Sequence, residues 1–370
     1  MRFCFEDSLR NVTRVPFPYP ILLLGLLASC NKKADEPSTI APAKNLPAQA
    51  VGLSSVTNAP AVSTLSNALP AHAATSAPPA SAHQTNLPTA AASLPATGRA
   101  TDLYNLGVRH FQGDGIPKSS LEAAKLFREA ADLGHPGAQH NLGVLYLTGS
   151  GVTHDASEAV RWFQKSAELG LAEAQFKLAS LYATGTGATQ DGKLAAEWVR
   201  KAADQGHMEA EYNLATLYAS GKGVELDLTQ AAAWYRKAAE KGKVVAQSNL
   251  GVLYARGQGV PADPAEAVKW FRKAAEQGYA FAQYNIARAH AEGKAVEKDN
   301  IEAYKWFILA TQQGDPDAAK EQLELSLDMR AQEIAEAIRR ANAFSAQLRA
   351  SQTNSAPAVR TNAPATPVAP

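Results

Sequence analysis

Cysteine is nearly absent from this chain of 370 residues, which contains only Cys4 and Cys30. Both lie within the first thirty positions. A chain that is cleaved just before Cys30 keeps Cys30 as its only thiol. Such a protein forms no internal disulfide and offers no cysteine cluster to a metal ion. This excludes a small secreted fold stapled by disulfides.

Two segments that flank the middle of the chain lack aromatic residues and carry few charges. Residues 31–100 contain no Phe, Trp or Tyr and consist mainly of Ala, Pro, Ser, Thr and Asn, and residues 351–370 carry a single charge, Arg360. Such segments cannot bury enough apolar surface to offset the entropy of ordering. The composition predicts a disordered linker over 30–101, a disordered tail over 351–370, and a folded part between them.

The sequence also lacks the patterns that carry catalysis or nucleic-acid binding. The formal net charge is +1, without Lys/Arg clusters, so nothing favours contact with phosphates. Histidines are scattered without metal-ligand spacing, and neither a nucleophile elbow nor a GxxxxGK[ST] loop occurs. We therefore predict no catalytic residue, no metal, no cofactor, no nucleic-acid partner and no enzymatic activity.

The N-terminus carries a short apolar run, ILLLGLLA at 21–28, after a weakly basic stretch. It is too short to cross a membrane and is typical of a signal peptide. Leu27-Ala28-Ser29-Cys30 resembles the lipobox of bacterial lipoproteins. The resemblance implies a signal peptide over 1–29 and lipidation of Cys30, which would be the only membrane contact.

An anchored chain would lie in the bacterial cell envelope and face the periplasm. Asn31 is not the Asp that favours inner-membrane retention in well-studied enteric bacteria, so the outer membrane is favoured. An ordinary secretory signal with a coincidental cysteine, or a leaderless cytosolic chain, are the alternatives.

A 36-residue period dominates the middle of the chain. Tryptophans recur at this spacing, as do turn glycines: Trp162, Trp198, Trp234, Trp270 and Trp306, and Gly134, Gly170, Gly206, Gly242, Gly278 and Gly314. Ala138, Leu142, Leu145 and Tyr146 share one face of a first helix, helix A. After a GxGV turn, Asp155 with Glu158 forms a capping-box pattern that begins a second helix, helix B.

The motifs Asn249-Leu250-Gly251-Val252-Leu253-Tyr254, Gly257-Gln258-Gly259-Val260 and Trp270-Phe271-Arg272-Lys273-Ala274-Ala275-Glu276-Gln277-Gly278 resemble Sel1-like repeats, which are relatives of tetratricopeptide repeats. The resemblance covers six units over 102–317 and implies an all-α fold, a right-handed α-solenoid superhelix. The terminal units depart from the pattern, for example at Ala295. Capping helices are predicted over 318–350 from Leu323, Leu327, Ile334, Ile338 and Leu348.

Two periodic columns are candidate binding rows. The Trp column could line an aromatic ligand site, but a strictly periodic aromatic residue in helix B indicates core between repeats. On helix A, amides and aromatics face the concave groove of related solenoids and could bind an extended peptide; alternatively, they help helix A to pack. The predicted partner-binding residues are Gln139, Asn141, Gln175, Phe176, Lys177, Tyr212, Asn213, Gln247, Asn249, Gln283, Tyr284 and Asn285.

By resemblance, the function is that of a non-enzymatic scaffold or regulator that binds one or more envelope proteins or peptides along the concave helix-A face. We expect a monomer. Two alternatives stay open: a Sel1-repeat protein that binds or hydrolyses β-lactams, although that group is rich in cysteine, and a structural protein of the cell wall.

Overall fold

The computed structural model describes residues 96–355, and every regular element in this range is an α-helix. The predicted signal peptide, Cys30, the linker before Ala96 and the tail after Ser355 lie outside the described residues. The helices are Ala96–Gln112 (α1), Ser120–Asp132 (α2), Pro136–Thr148 (α3), Ala156–Glu168 (α4), Ala172–Thr184 (α5), Gly192–Asp204 (α6), Met208–Ser220 (α7), Leu228–Glu240 (α8), Val244–Arg256 (α9), Pro264–Glu276 (α10), Ala280–Glu292 (α11), Asn300–Gln312 (α12), Pro316–Ser326 (α13) and Ala331–Ser355 (α14).

The first twelve helices form six consecutive pairs, in which an odd-numbered helix A packs against the helix B that follows it. Each helix B also packs against helix A of the next pair. The result is an all-α solenoid, as predicted. The handedness of the superhelix stays a prediction.

Both ends of the folded part extend beyond the predicted boundaries. Helix α1 begins at Ala96, inside the segment predicted as linker, and α14 continues to Ser355, inside the predicted tail. The early start has a physical reason, because Ala100 and Leu103 are buried and need ordered backbone on both sides.

Aspartate side chains begin five of the six B helices. Asp155 Oδ1 accepts from the backbone N–H groups of Ser157 and Glu158, at 2.9 and 3.0 Å. The other half of the predicted capping box is absent at this helix, since the Glu158 carboxylate pairs with Arg161 at 2.8 Å. Asp191, which has no Glu or Gln three residues later, caps its helix in the same way. The aspartate alone therefore satisfies the first N–H groups.

The five tryptophans belong to the core, with 2 to 8% of each residue exposed. Trp162 packs with the first repeat, and Trp198 and Trp234 lie in the cluster formed by the following repeats. In four repeats a lysine three residues later lies over the indole ring, with Nζ 3.6 to 4.0 Å from the ring centroid: Lys165, Lys201, Lys237 and Lys273. Each lysine stem shields the ring edge while its ammonium gains a cation–π contact.

In the second to fifth repeats, the second glycine of the GxG turn brings two backbones together. Gly187 has φ +71°, and a Cβ atom there would overlap the carbonyl oxygen of Ala156, the first residue of the preceding helix B. Gly151, Gly223 and Gly259 make the same approach to the preceding repeat. In the sixth repeat the position is occupied by Ala295, whose φ is 61°, a conformation that a side chain disfavours.

The repeats end at α13 because its packing positions have changed. Leu323 stands where the helices A of all six repeats carry Gly or Ala. At Gly143 and Gly251 that small residue allows contact with a helix-B phenylalanine ring. Gln322, one position earlier, replaces the core Leu or Ile. A following helix B could not pack here, and α14 packs against α12 instead.

Three of the five residues predicted to cap the last repeat do not cover it, whereas Ile334 packs against the core. Leu323 and Leu327 are 67 and 81% exposed, and Ile338 is also exposed, so the prediction was wrong for these three residues. The cap is made by α14 through the Phe344 ring, 5.2 Å from Trp306, and through an ion pair of Arg340 with Glu302 at 2.8 Å.

The substitution Ala295→Gly should raise the free energy of unfolding by about 1 kcal/mol, because the left-handed conformation costs an L side chain about that much. The substitution Gly187→Ala should lower it by about 2 kcal/mol or more, because the new methyl group meets a fixed carbonyl. Urea unfolding followed by circular dichroism measures both. Equal shifts of the two variants in one direction would contradict this account of the turn.

Candidate partner-binding face

All twelve predicted binding residues lie on the helices α3, α5, α7, α9 and α11. The outward surface of these helices is called the helix-A face. The structure divides the twelve residues into three groups. The glutamines are buried, most asparagines and aromatics contact neighbouring repeats, and Lys177 and Asn213 have no partner among the described residues.

The four glutamines are unavailable to a partner, so the prediction was wrong for them. Gln139, Gln175, Gln247 and Gln283 are 1 to 5% exposed. Each side-chain amide donates to a carbonyl oxygen in the last turn of the preceding helix B, at 3.1 to 3.2 Å. Carbonyls at a helix C-terminus lack partners within the helix. These glutamines therefore supply a cap from the next repeat.

A second side chain completes this contact in most repeats. Gln205 Nε2 donates to Gln175 Oε1 at 2.7 Å, and Gln277 and Gln313 donate in the same way to Gln247 and Gln283 at 2.8 Å. In the fourth repeat the pair is ionic, because Lys241 Nζ lies 2.6 Å from Oε1 of the buried Glu211. This column of pairs joins successive repeats through buried polar bonds.

One pair of this column lacks its hydrogen-bond donor. Leu169 occupies the position of Gln205 one repeat earlier and is 56% exposed. Within the described residues Gln139 Oε1 is buried without a hydrogen-bond donor. An unsatisfied buried acceptor is destabilising, so this interface between repeats is weaker than its neighbours.

The asparagines mostly hold neighbouring helices. Asn141 is hydrogen-bonded to the Tyr104 hydroxyl of the first repeat, whereas Asn285 donates to the backbone oxygen of Phe281 in its own helix, at 2.7 Å. Asn249 is 3% exposed and lies beside the Tyr235 hydroxyl, whose pKa is raised to about 12 by burial. The prediction of a partner contact was wrong for Asn249, because helix-A packing encloses it.

The aromatic rings of the face already have partners on one side. Phe176 stacks on the His207 ring, with centroids 4.9 Å apart, and Lys243 Nζ lies 5.5 Å from the Tyr212 centroid. The Tyr284 hydroxyl donates to Glu321 Oε1 at 2.7 Å, and burial with this carboxylate raises its pKa. Phe176 and Tyr212 remain partly exposed, whereas Tyr284 is part of the C-terminal packing.

His140 is an ionisable group of the face whose pKa is shifted by burial. It is largely buried, with its ring 5.3 Å from Phe163, and its Nδ1 atom has no partner among the described residues. Burial lowers its pKa to about 4; Glu173 opposes this shift and Lys177 adds to it. The imidazole is therefore neutral at pH 7.

Two histidines act as helix caps. His135 Nδ1 accepts from the backbone N–H of Ala138 at 3.1 Å, and His207 Nδ1 accepts from that of Ala210 at 3.2 Å. His207 Nε2 lies 2.8 Å from Glu173 Oε2, and this bond lowers the pKa of the carboxyl group. Because Nδ1 is the acceptor, His207 Nε2 donates to Glu173.

No cluster of three or more His, Cys, Asp and Glu side chains among residues 96–355 could hold a metal ion. In the same range no helix has both the length and the hydropathy required to cross a bilayer.

The paired helices, the periodic core and the bonded columns define an α-solenoid repeat protein. A family model described as "Sel1 repeat" matches six consecutive segments: 102–135, 136–171, 172–207, 209–243, 244–279 and 280–315. These segments cover more than half of the chain. The chain belongs to the Sel1 repeat family.

The chain is also similar to solved structures of repeat proteins. A protective antigen of uropathogenic Escherichia coli strains, which displays an SLR fold, is 31% identical over 70% of this chain, with a TM-score of 0.61. The chain spans 58% of the length of that protein. A Sel1 repeat protein from Oxalobacter formigenes is 33% identical, with coverage of 62% of this chain and 67% of that chain and a TM-score of 0.52. No curated protein matched.

The substitution Leu169→Gln should stabilise the protein by about 1 kcal/mol, because the new amide can donate to Gln139 Oε1 as Gln205 does to Gln175. Leu133→Gln is the matched control, since the residue at the facing position there is the apolar Leu103. Thermal unfolding measures the difference. An equal change in both variants would show that loss of an exposed leucine, and not the hydrogen bond, is responsible.

Stability should fall as the pH decreases from about 6.5 to 4. In the unfolded chain, His140 is protonated near its ordinary pKa. In the folded chain, the pKa is about 4, so His140 is protonated only at lower pH. The unfolded state thus binds more protons in this window, at a cost to folding on the order of 3 kcal/mol. His140→Phe should flatten this dependence, since Phe176 occupies the equivalent position in the next repeat.

The control for the pH measurement is His154→Gln, in an exposed loop, which should leave the slope unchanged. Urea midpoints at several pH values provide the data. A His140→Phe variant that loses as much stability in acid as the unmodified chain would refute the assignment to His140.

Proposed function

We propose that this chain is a non-enzymatic protein-interaction scaffold or regulator, anchored by a lipid at Cys30 in the bacterial cell envelope. Sel1 repeat proteins commonly act as interaction scaffolds, and membership of this family supports the first part of the proposal. The lipobox-like segment Leu27-Ala28-Ser29-Cys30 supports the second part. Partner and membrane then contact different parts of one chain.

The observation that carries the binding proposal is the distribution of free polar groups on the helix-A face. The periodic glutamines already donate to carbonyl oxygens of the preceding repeat, so they are not available to a partner. In the third and fourth repeats, Lys177 is exposed, and Asn213, Phe176 and Tyr212 are partly exposed. A mixed apolar and polar surface on rigid helices suits an extended segment of another protein.

The anchor would confine this surface to the neighbourhood of a membrane. Residues 31–95, as a flexible chain, would give a mean reach of about 45 Å. Confinement raises the effective concentration of partners held at the same membrane. We favour the periplasmic side of the outer membrane because Asn31 follows the cysteine.

Metabolic labelling with an alkyne fatty acid in a bacterial host tests the anchor. The unmodified chain and the variant Cys4→Ser should be labelled and should fractionate with membranes, whereas Cys30→Ser should be neither. Cys4 is the matched control because it is the only other cysteine. Labelling of Cys30→Ser, or no labelling of any variant, would contradict the proposal of lipidation at Cys30.

Site-specific photo-crosslinking in cells tests the scaffold. A photoreactive residue in place of Asn213 should give one or two discrete adducts with other proteins. The same residue in place of Glu197, which is exposed on helix α6, should give none of these adducts. The same adducts from both positions would mean that the helix-A face is not the binding surface, and the lack of any adduct would weigh against a scaffold.

A further inference from the structure

We propose that a groove between α10 and the turn that follows α11 binds a phosphate monoester that carries an apolar group. The groove lies outside the helix-A face, so this proposal is independent of the scaffold function.

The groove has a volume of about 450 Å³ and is open to solvent. One wall is α10, with lining residues between Ala265 and Glu276, and the other wall is formed by Ala295 and Val296 of the sixth repeat. This volume lies in the range of sites that hold small organic ligands. The sequence shows no Lys/Arg cluster here, because the lining comes together only where two repeats meet.

Two cations line this groove without a carboxylate partner. The Arg272 guanidinium donates to His290 Nε2 at 3.2 Å, and Lys273 Nζ lies 3.9 Å from the centroid of the Trp270 ring. Neither cation forms an ion pair with any residue in the range 96–355. Their positive charges are therefore available to an external anion, on side chains that neutral rings hold in place.

The imidazole that holds Arg272 is neutral. Arginine can only donate, so His290 Nε2 accepts and carries no proton. His290 Nδ1 then carries the proton and donates to the backbone oxygen of Glu297 at 3.3 Å. One repeat earlier, the Tyr254 hydroxyl accepts from Arg236 in the same way. Both repeats thus position the arginine through an uncharged acceptor and leave its charge unpaired.

The third cation of the groove is neutralised. Lys269 Nζ lies 2.5 Å from Glu266 Oε1, and both residues line the groove. Glu276 also lines it, at the end of α10, and forms no ion pair within the described residues. With three cations and two carboxylates, the lining has a net positive charge. A bound anion should lie toward Arg272 and Lys273.

A phosphate monoester matches this arrangement better than a carboxylate. Near pH 7 it carries almost two negative charges on three terminal oxygens. It can therefore bond the guanidinium fork and the ammonium group at once, whereas a carboxylate would neutralise only one of the two cations. Val268, Ala295 and Val296 add apolar surface to the walls, which suits an apolar group attached to the phosphate.

Isothermal titration calorimetry of the full chain with n-hexyl phosphate tests the proposal. We expect saturable binding that is about tenfold tighter than that of hexanoate, because the second charge reaches the second cation. Inorganic phosphate should also bind more weakly than hexyl phosphate, because it lacks the apolar group.

The critical variants are Arg272→Gln and Lys273→Gln, each of which should weaken binding of hexyl phosphate about tenfold through loss of a charge-assisted bond. Arg236→Gln and Lys237→Gln are the matched controls. They remove the same charges from the equivalent positions of the fourth repeat, outside the groove, and should bind as the unmodified chain does. Thermal unfolding should give each variant the melting temperature of its control.

A further variant blocks the groove and leaves its charges unchanged. Val296→Phe should weaken binding of hexyl phosphate, because the larger ring occupies space between the turn and α10. This variant keeps the test decisive if a change at Arg272 or Lys273 impairs folding.

Vesicles distinguish a lipid from a soluble ester as the source of the phosphate. Phosphatidic acid ends in a phosphate monoester. Cosedimentation of the chain with phosphatidylcholine vesicles that contain phosphatidic acid, lost in Arg272→Gln and absent without phosphatidic acid, would identify a lipid ligand. Binding of hexyl phosphate without cosedimentation would identify a soluble ester.

Three results would overturn the phosphate site. They are no saturable binding of hexyl phosphate, equal affinity for hexanoate, and equal binding by Arg272→Gln, Lys273→Gln and the unmodified chain. The same loss in the fourth-repeat controls would assign binding to the general charge of the helices B, and would also overturn the groove. The scaffold function stands in each case, because the photo-crosslinks at Asn213 test it separately.

Discussion

The stacking of this solenoid depends on a close backbone contact that glycine makes in four of the repeats. In the second to fifth repeats, the second glycine of the GxG turn lies against the first carbonyl of the preceding helix B, as Gly187 does at Ala156. With no Cβ, the turn can rest directly on the helix, and the positive φ redirects the chain into the next helix. This contact sets the distance between repeats, and the tryptophan core and glutamine pairs fit the spacing that follows.

Regular spacing explains why most polar residues of helix A are unavailable for binding. Each repeat meets identical neighbours, so a side chain that bonds the adjacent repeat once does so along the whole array. The glutamine pairs are the example of such bonds between repeats, and the aspartate caps and the lysine–tryptophan contacts recur within each helix B in the same way. Departures from the period are therefore informative. Leu169 leaves an acceptor unsatisfied, Phe176 removes a hydroxyl, and Lys177 adds a charge.

The C-terminal end follows from the same constraint. Leu323 in a position that requires Gly or Ala prevents another helix B from closing on α13. Helix α14 lies on α12 and covers Trp306, which is 2% exposed. The exposed Leu323 and Leu327 show that an apolar residue in a predicted cap need not contact the core. What matters is the direction of the helix, and a sequence pattern does not give it.

The sequence by itself determined the repeat length, the order and approximate bounds of the helices, the aspartate caps and the buried tryptophan column. These features are local or strictly periodic, so spacing is sufficient to find them. The tertiary structure decided which helix-A residues are accessible. Glutamine and asparagine columns have the same period whether they face solvent or a neighbouring helix, since a polar side chain can be satisfied by water or by a carbonyl. Only the positions of the adjacent backbone atoms distinguish the buried Gln175 from the exposed Lys177 two residues later.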